Sequence, residues 1–170
     1  LAVLIGHNLL DKVWPMPTGG PFDVGPPLWV SLHAQMAVTA GPFLLAFIYP
    51  VVPWMGVMLC GFGIAPVWQQ AAAMRDATLQ RSGMVAIIAF VALRTVGIYG
   101  DPNPWQMQST ATATLLDFLN VTKYPPSLLF LLMTLGPAAL LCVHADRLPR
   151  AVGRVLITFG RVPFAFYVAH

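Results

Sequence analysis

A histidine and an aspartate stand four residues apart in Gly6-His7-Asn8-Leu9-Leu10-Asp11. On a helix, His7 and Asp11 would share one face. A carboxylate beside an imidazole can orient the ring and raise its basicity, which suits a general base. The same residues also describe a polar cap where an apolar helix meets an interface. His7, Asn8 and Asp11 are the candidate catalytic residues. His33, flanked by Leu32 and Ala34, is a candidate substrate contact or a hydrogen-bonded structural histidine. In Asn120-Val121-Thr122-Lys123-Tyr124-Pro125-Pro126, Lys123 could meet a phosphate or carboxylate, and Tyr124 could donate a hydrogen bond. Both types also serve as interfacial anchors. Arg94 lies close to the end of an apolar run, where it can snorkel or turn inward toward Asp101, Asp117 or an anionic substrate. His170 could pair with any of these groups. There is no metal-ligand spacing, and no glycine-rich nucleotide, Walker, HExxH or GxSxG pattern.

The elements that carry these residues read as membrane segments. Hydrophobic residues make up 58% of the 170 positions, charged residues 9%, and the mean hydropathy is +0.73. Soluble domains carry about 25% charge, so this chain has too little to cover a wet surface. No Asp, Glu, Lys or Arg occurs between Asp23 and Arg75, between Arg81 and Arg94, or between Lys123 and Asp146. These runs do not alternate as barrel strands would, so the expected fold is all-α: a multi-pass transmembrane helical bundle. Residues 1–170 form a single domain with about five membrane segments, including partial ones at both ends. Leu1–Leu10 ends a helix, and a Pro/Gly-rich loop runs from Pro15 to Pro27. Leu28–Tyr49, split by Gly41-Pro42, either spans or, as preferred here, re-enters or lies at the interface. Val51–Gln70, Ser82–Tyr99 and Tyr124–His144 span, the last kinked at Pro137, and Gly153–His170 starts a further segment. A short amphipathic helix is expected between Ser109 and Leu119. Cys60 and Cys142 read as small buried hydrophobes.

Charge sets an expected orientation. Arg75 and Arg81 occupy one loop, and Arg147, Arg150 and Arg154 occupy another two crossings away. Such loops lie on one side of a membrane, and their basic bias marks that side as cytoplasmic. In this setting the net charge of +3 reports orientation rather than nucleic-acid binding. The expected home is an inner membrane, with the lipid bilayer as partner and a homo-oligomer as an open alternative.

Four stretches taken in order carry a resemblance. They are Gly6–Asp11, Tyr49-Pro50-Val51-Val52-Pro53-Trp54-Met55-Gly56-Val57-Met58, Asn120-Val121-Thr122-Lys123-Tyr124-Pro125-Pro126-Ser127-Leu128, and Phe159-Gly160-Arg161-Val162-Pro163-Phe164-Ala165-Phe166-Tyr167-Val168-Ala169-His170. Together they resemble the bacterial membrane proteins grouped with the catalytic domain of heparan-α-glucosaminide N-acetyltransferase, matching their C-terminal portion. The resemblance implies transmembrane acyl transfer, with acetyl-CoA as donor and an amino sugar or glycan as acceptor. The rival readings are a transporter, which would place polar groups at the membrane midplane, and a non-catalytic scaffold.

Overall fold

A computed structural model describes residues 2–13, 26–47 and 49–169. The first element, α1 (Ala2–Gly6), passes into a 3-10 turn at His7–Leu9 and then α2 (Leu10–Val13). Next come α3 (Pro27–Leu32) and two antiparallel strands, β1 (Met36–Ala40) and β2 (Phe43–Phe47). Helix α4 (Val51–Ile64) runs on through a 3-10 stretch at Ala65–Gln69. It is followed by α5 (Ala72–Val96), α6 (Ala111–Leu119), α7 (Leu128–Val143), α8 (Arg150–Arg161) and α9 (Pro163–Ala169).

Among the described residues, two helices are long and apolar enough to cross a membrane: Val51–Gln69, with its 3-10 end, and Ala72–Val96. Only 11% and 22% of their apolar windows are buried within the chain, so most of that surface is left for lipid or other protein. This corrects the expected five-segment, all-helical bundle. The α1 helix breaks at Gly6. Leu28–Tyr49 is neither a span nor a helical re-entrant segment, but a short helix followed by a hairpin. The hairpin turns at Gly41-Pro42, with Ala40 opposite Phe43 and Gly41 at φ 61°. A positive φ at the first central position fits a two-residue hairpin turn, which glycine adopts without strain. Helix α7 has 16 residues, about 24 Å at 1.5 Å per residue, short of a core of about 30 Å. The final apolar segment bends by 82° between α8 and α9, at Val162-Pro163. Most of the loop expected from Pro15 to Pro27 lies outside the described residues. Cys60 is half-buried and Cys142 exposed, so neither is the buried hydrophobe expected.

The main packing joins α5 and α7 where both carry small residues. A Cβ on Gly83 would lie 2.8 Å from the Gly136 carbonyl oxygen, and one on Gly136 would lie 3.1 Å from Ala86 Cβ. Small residues let backbones approach this closely, which is how helices associate without a hydrophobic driving force in lipid. Gly83→Ala is therefore expected to push the helices apart and lower stability by about 1–3 kcal/mol, read as a fall in the thermal midpoint in detergent. An unchanged midpoint would show that this contact does not hold the pair. At the far end of the pair, Arg75 lies 4.0 Å from Asp146, so the two arginine-rich stretches share one end, but Arg75 and Arg81 lie within α5 and Arg150 and Arg154 within α8 rather than in the expected loops. A smaller core of Val30, Ala34 and Met36, packed against Trp29, Val38 and Phe47, ties α3 to the hairpin.

Candidate functional site

The polar residues gather at the opposite end of the α5–α7 pair, around the start of α7. A helix start leaves backbone N–H groups without intrahelical partners, and here each of the first three is met from a different segment. Leu128 N–H donates to Asn8 Oδ1 (2.9 Å), Leu129 N–H to the Gly100 carbonyl (2.9 Å), and Phe130 N–H to Ser127 Oγ (3.0 Å). Asn8 therefore fastens the N-terminal segment to α7. Its Nδ2 donates to Asp11 Oδ2 at 3.0 Å, and Asp11 Oδ1 accepts from His33 Nε2 at 2.8 Å. The result is a chain of hydrogen bonds from the α7 backbone through Asn8 and Asp11 to His33.

The partner of Asp11 differs from the one its spacing suggested. The helix tightens into a 3-10 turn at His7–Leu9, so the i,i+4 face is lost there, and Asp11 takes the imidazole of His33 instead. His33 is 1% exposed. With Nε2 donating to the carboxylate, its Nδ1 carries the lone pair, and this atom is buried without a hydrogen-bond partner among the described residues. The His33 ring lies 4.7 Å from that of Trp29 and 5.6 Å, edge to face, from that of His7.

His7 is buried, and neither ring nitrogen has a hydrogen-bond partner among the described residues. Burial first, and then the neighbouring His33, depress its pKa to about 4; Asp11 and the nearby Pro126 carbonyl oppose the shift in smaller measure. The ring is therefore neutral at physiological pH. From this follows a pH dependence of stability. Between about 6.5 and about 4 the unfolded chain binds a proton that the folded one refuses, so stability falls on acidification across that window and levels off below it. The loss is on the order of 1 kcal/mol after allowance for solvent screening. His7→Gln should remove that part of the slope in unfolding midpoints measured from pH 7 to 4, and an unaltered slope would assign it to other groups.

The other residues singled out from the sequence fall into two groups. Arg94, 2% exposed, gives its donors to backbone: Nε to Phe118 O (2.9 Å), Nη1 to Asn103 O (2.7 Å), and Nη2 to Asp117 O (3.1 Å) and Asn120 O (2.8 Å). Three of these carbonyls belong to the C-terminal turn of α6, where a cation is favoured. Asp101 Oδ1 stands 3.9 Å from Nη1 and also accepts from Asn103 N–H (2.9 Å) and Thr122 Oγ1 (3.0 Å), while Oδ2 accepts from Thr122 N–H (2.7 Å) and Ser127 Oγ (2.8 Å). Arg94 is thus engaged in holding residues 101–127 together.

Lys123 is exposed, with Nζ 5.0 Å from the centre of the Tyr124 ring. Tyr124 packs edge-on against Tyr49 (5.5 Å) and near Trp54 (6.3 Å). The Tyr49 hydroxyl titrates above its usual range, chiefly through its hydrogen bond with Tyr124 and then through the charges of Tyr124 and Tyr167. Tyr99 donates its hydroxyl hydrogen to the Ile5 carbonyl, fixing the end of α5 to α1. His170 lies outside the described residues. No cluster of metal-ligating side chains occurs among the described residues. Ser127, Trp29, Tyr49 and Trp54 are contributors not singled out above as site candidates, while Asp101 stands beside Arg94 as one of the partners expected for it. Ser127 had a sequence signal, a capping residue between Pro-Pro and an apolar run.

No protein-family model matches the chain, and neither a curated protein nor a solved structure does so.

Proposed function

We propose that the chain forms part of an integral-membrane acyltransferase, which passes an acetyl group from acetyl-CoA to an amino sugar or glycan across the membrane. The observation that carries this reading is the Asp11–His33 pair: His33 Nδ1 has no hydrogen-bond partner among the described residues, and the His33 ring lies 5.6 Å from the neutral ring of His7. An imidazole oriented by a carboxylate, with one buried lone pair left uncommitted, has the makeup of a general base. In the proposed step, His33 Nδ1 takes a proton from the acceptor amine as its nitrogen attacks the thioester carbonyl. The C–N bond forms, the C–S bond breaks, and the proton passes to the departing CoA thiolate. Asp11 stabilises the imidazolium formed in between. Asn8 holds Asp11 and anchors it to α7. Lys123, Tyr124, Tyr49 and Trp54 supply a wall of one cation and three rings on which a sugar could stack. Arg94 is given no substrate role, because its donors are committed to carbonyls.

The two membrane-length helices and the separation of the arginine end from the histidine end suit a reaction with donor and acceptor on opposite sides. The arginine-bearing end is assigned to the cytoplasm, by the positive-inside rule, of a bacterial inner membrane. The resemblance in Gly6–Asp11, Tyr49–Met58, Asn120–Leu128 and Phe159–His170 points the same way. The test is acetyl transfer by the protein in sealed membrane vesicles, with labelled acetyl-CoA on the arginine side and amino sugars on the other. Label on an acceptor supports the reading. No transfer by folded protein, with any acceptor offered, would overturn it in favour of transport or scaffolding.

A further inference from the structure

Helix α8 carries Arg150, Arg154 and Arg161 at positions i, i+4 and i+11, which fall on one helical face. Val152, Val155, Leu156 and Phe159 occupy the opposite face. None of the three arginines forms an ion pair with a carboxylate among the described residues, and all three are exposed. Between the first two lies an open cleft of about 570 Å³, lined by Arg150, Gly153, Arg154 and Ile157. Two guanidinium forks one turn apart, with no carboxylate to neutralise them, match the oxygens of a phosphate or diphosphate. Carboxylate ligands fit less well, because one carboxylate satisfies only one fork.

We infer that the Arg150–Arg154 cleft is a phosphate-binding site that accepts a diphosphate or phosphodiester group. The cleft lies beyond the end of α7, where Arg75 approaches Asp146, and so at the end of the α5–α7 pair remote from His7 and His33. It stands independently of the acyl-transfer reading. A soluble diphosphate is one source of such a group. The same chemistry is also offered by anionic phospholipid headgroups at a membrane surface.

The experiment uses the whole chain in nanodiscs, as wild type, Arg150→Gln/Arg154→Gln and Arg150→Lys/Arg154→Lys. In zwitterionic lipid, CoA and inorganic pyrophosphate are titrated by calorimetry. In discs containing phosphatidylglycerol, retained anionic lipid is counted by native mass spectrometry. Saturable binding of CoA or pyrophosphate, weakened about tenfold or more by the glutamine pair and less by the lysine pair, supports a soluble diphosphate ligand. Selective retention of phosphatidylglycerol that the glutamine pair abolishes supports the lipid source. If the glutamine pair keeps the wild-type unfolding midpoint and changes neither binding nor retention, the inference fails. Binding at the cleft without any acetyl transfer would keep this site while removing the enzymatic reading.

Discussion

Replacing Arg94 with methionine should lower stability by about 3 kcal/mol or more, and should loosen residues 101–127 ahead of the rest. Five N–H donors leave with the guanidinium, and four carbonyls at 2.7–3.1 Å lose their partner. Each buried acceptor left unsatisfied costs about 1–3 kcal/mol. Removing one member of a buried charge pair costs about 3–5 kcal/mol when the other is left uncompensated. The lower end applies here, because Asp101 keeps Thr122, Ser127 and Asn103 as donors. Arg94→Lys should recover only part of the loss. An ammonium carries its charge at one point and cannot span carbonyls on both sides of the fork. Hydrogen exchange in detergent reads the outcome: α6 amides should exchange globally faster in Arg94→Met while those of α5 and α7 change less. Unchanged α6 protection would mean that Thr110, which caps its start, and Asp117, which binds Gln106 N–H, suffice to hold it.

The same residue shows what could and could not be read from the sequence. An arginine near the end of an apolar run announces that it must be satisfied. Nothing in its spacing says that backbone carbonyls 9 and 23 to 26 residues away will do it. The apolar runs did locate α4 and the apolar part of α5, because length and lack of charge are local properties, but α5 begins at Ala72, ten residues before the expected Ser82. They mislead at Leu28–Tyr49, where hydropathy cannot separate a helix from a short apolar hairpin, and Gly41-Pro42 serves equally as a break in one or the turn of the other. They also overestimated α7. The apolar composition continues through Tyr124-Pro125-Pro126, but the prolines and the Ser127 cap delay the first helical turn to Leu128. At the site, His7, Asn8, Asp11 and His33 all stood out as polar groups in apolar surroundings. Their pairing did not, since a 22-residue separation between Asp11 and His33 depends on how α3 docks, and the i,i+4 rule presumes a regular helix through His7.

His33→Gln is expected to reduce acetyl transfer by about 10²- to 10⁴-fold, the contribution of a positioned general base. Asp11→Asn should approach the same loss by another route. Its amide can donate toward Nε2, which favours the tautomer with the proton on Nδ1, and the lone pair needed for catalysis then points the wrong way. The two losses should not add: the double variant should be little slower than His33→Gln alone, because Asp11 acts only through that ring. Asp11 also accepts from Asn8, whose Oδ1 caps α7, so a purely structural role must be separated from a chemical one. The unfolding midpoint and the kinetic split do this. Chemical roles predict a fall in kcat with KM and the midpoint close to wild type. A structural role predicts a lowered midpoint, with the remaining folded fraction turning over at the wild-type rate. His7→Gln adds the deciding comparison. If His33 is the base and His7 only its neutral neighbour, His7→Gln should lose far less than His33→Gln. The reverse order would transfer the base to His7, leaving the Asp11–His33 pair as the clasp that seats the hairpin against α7.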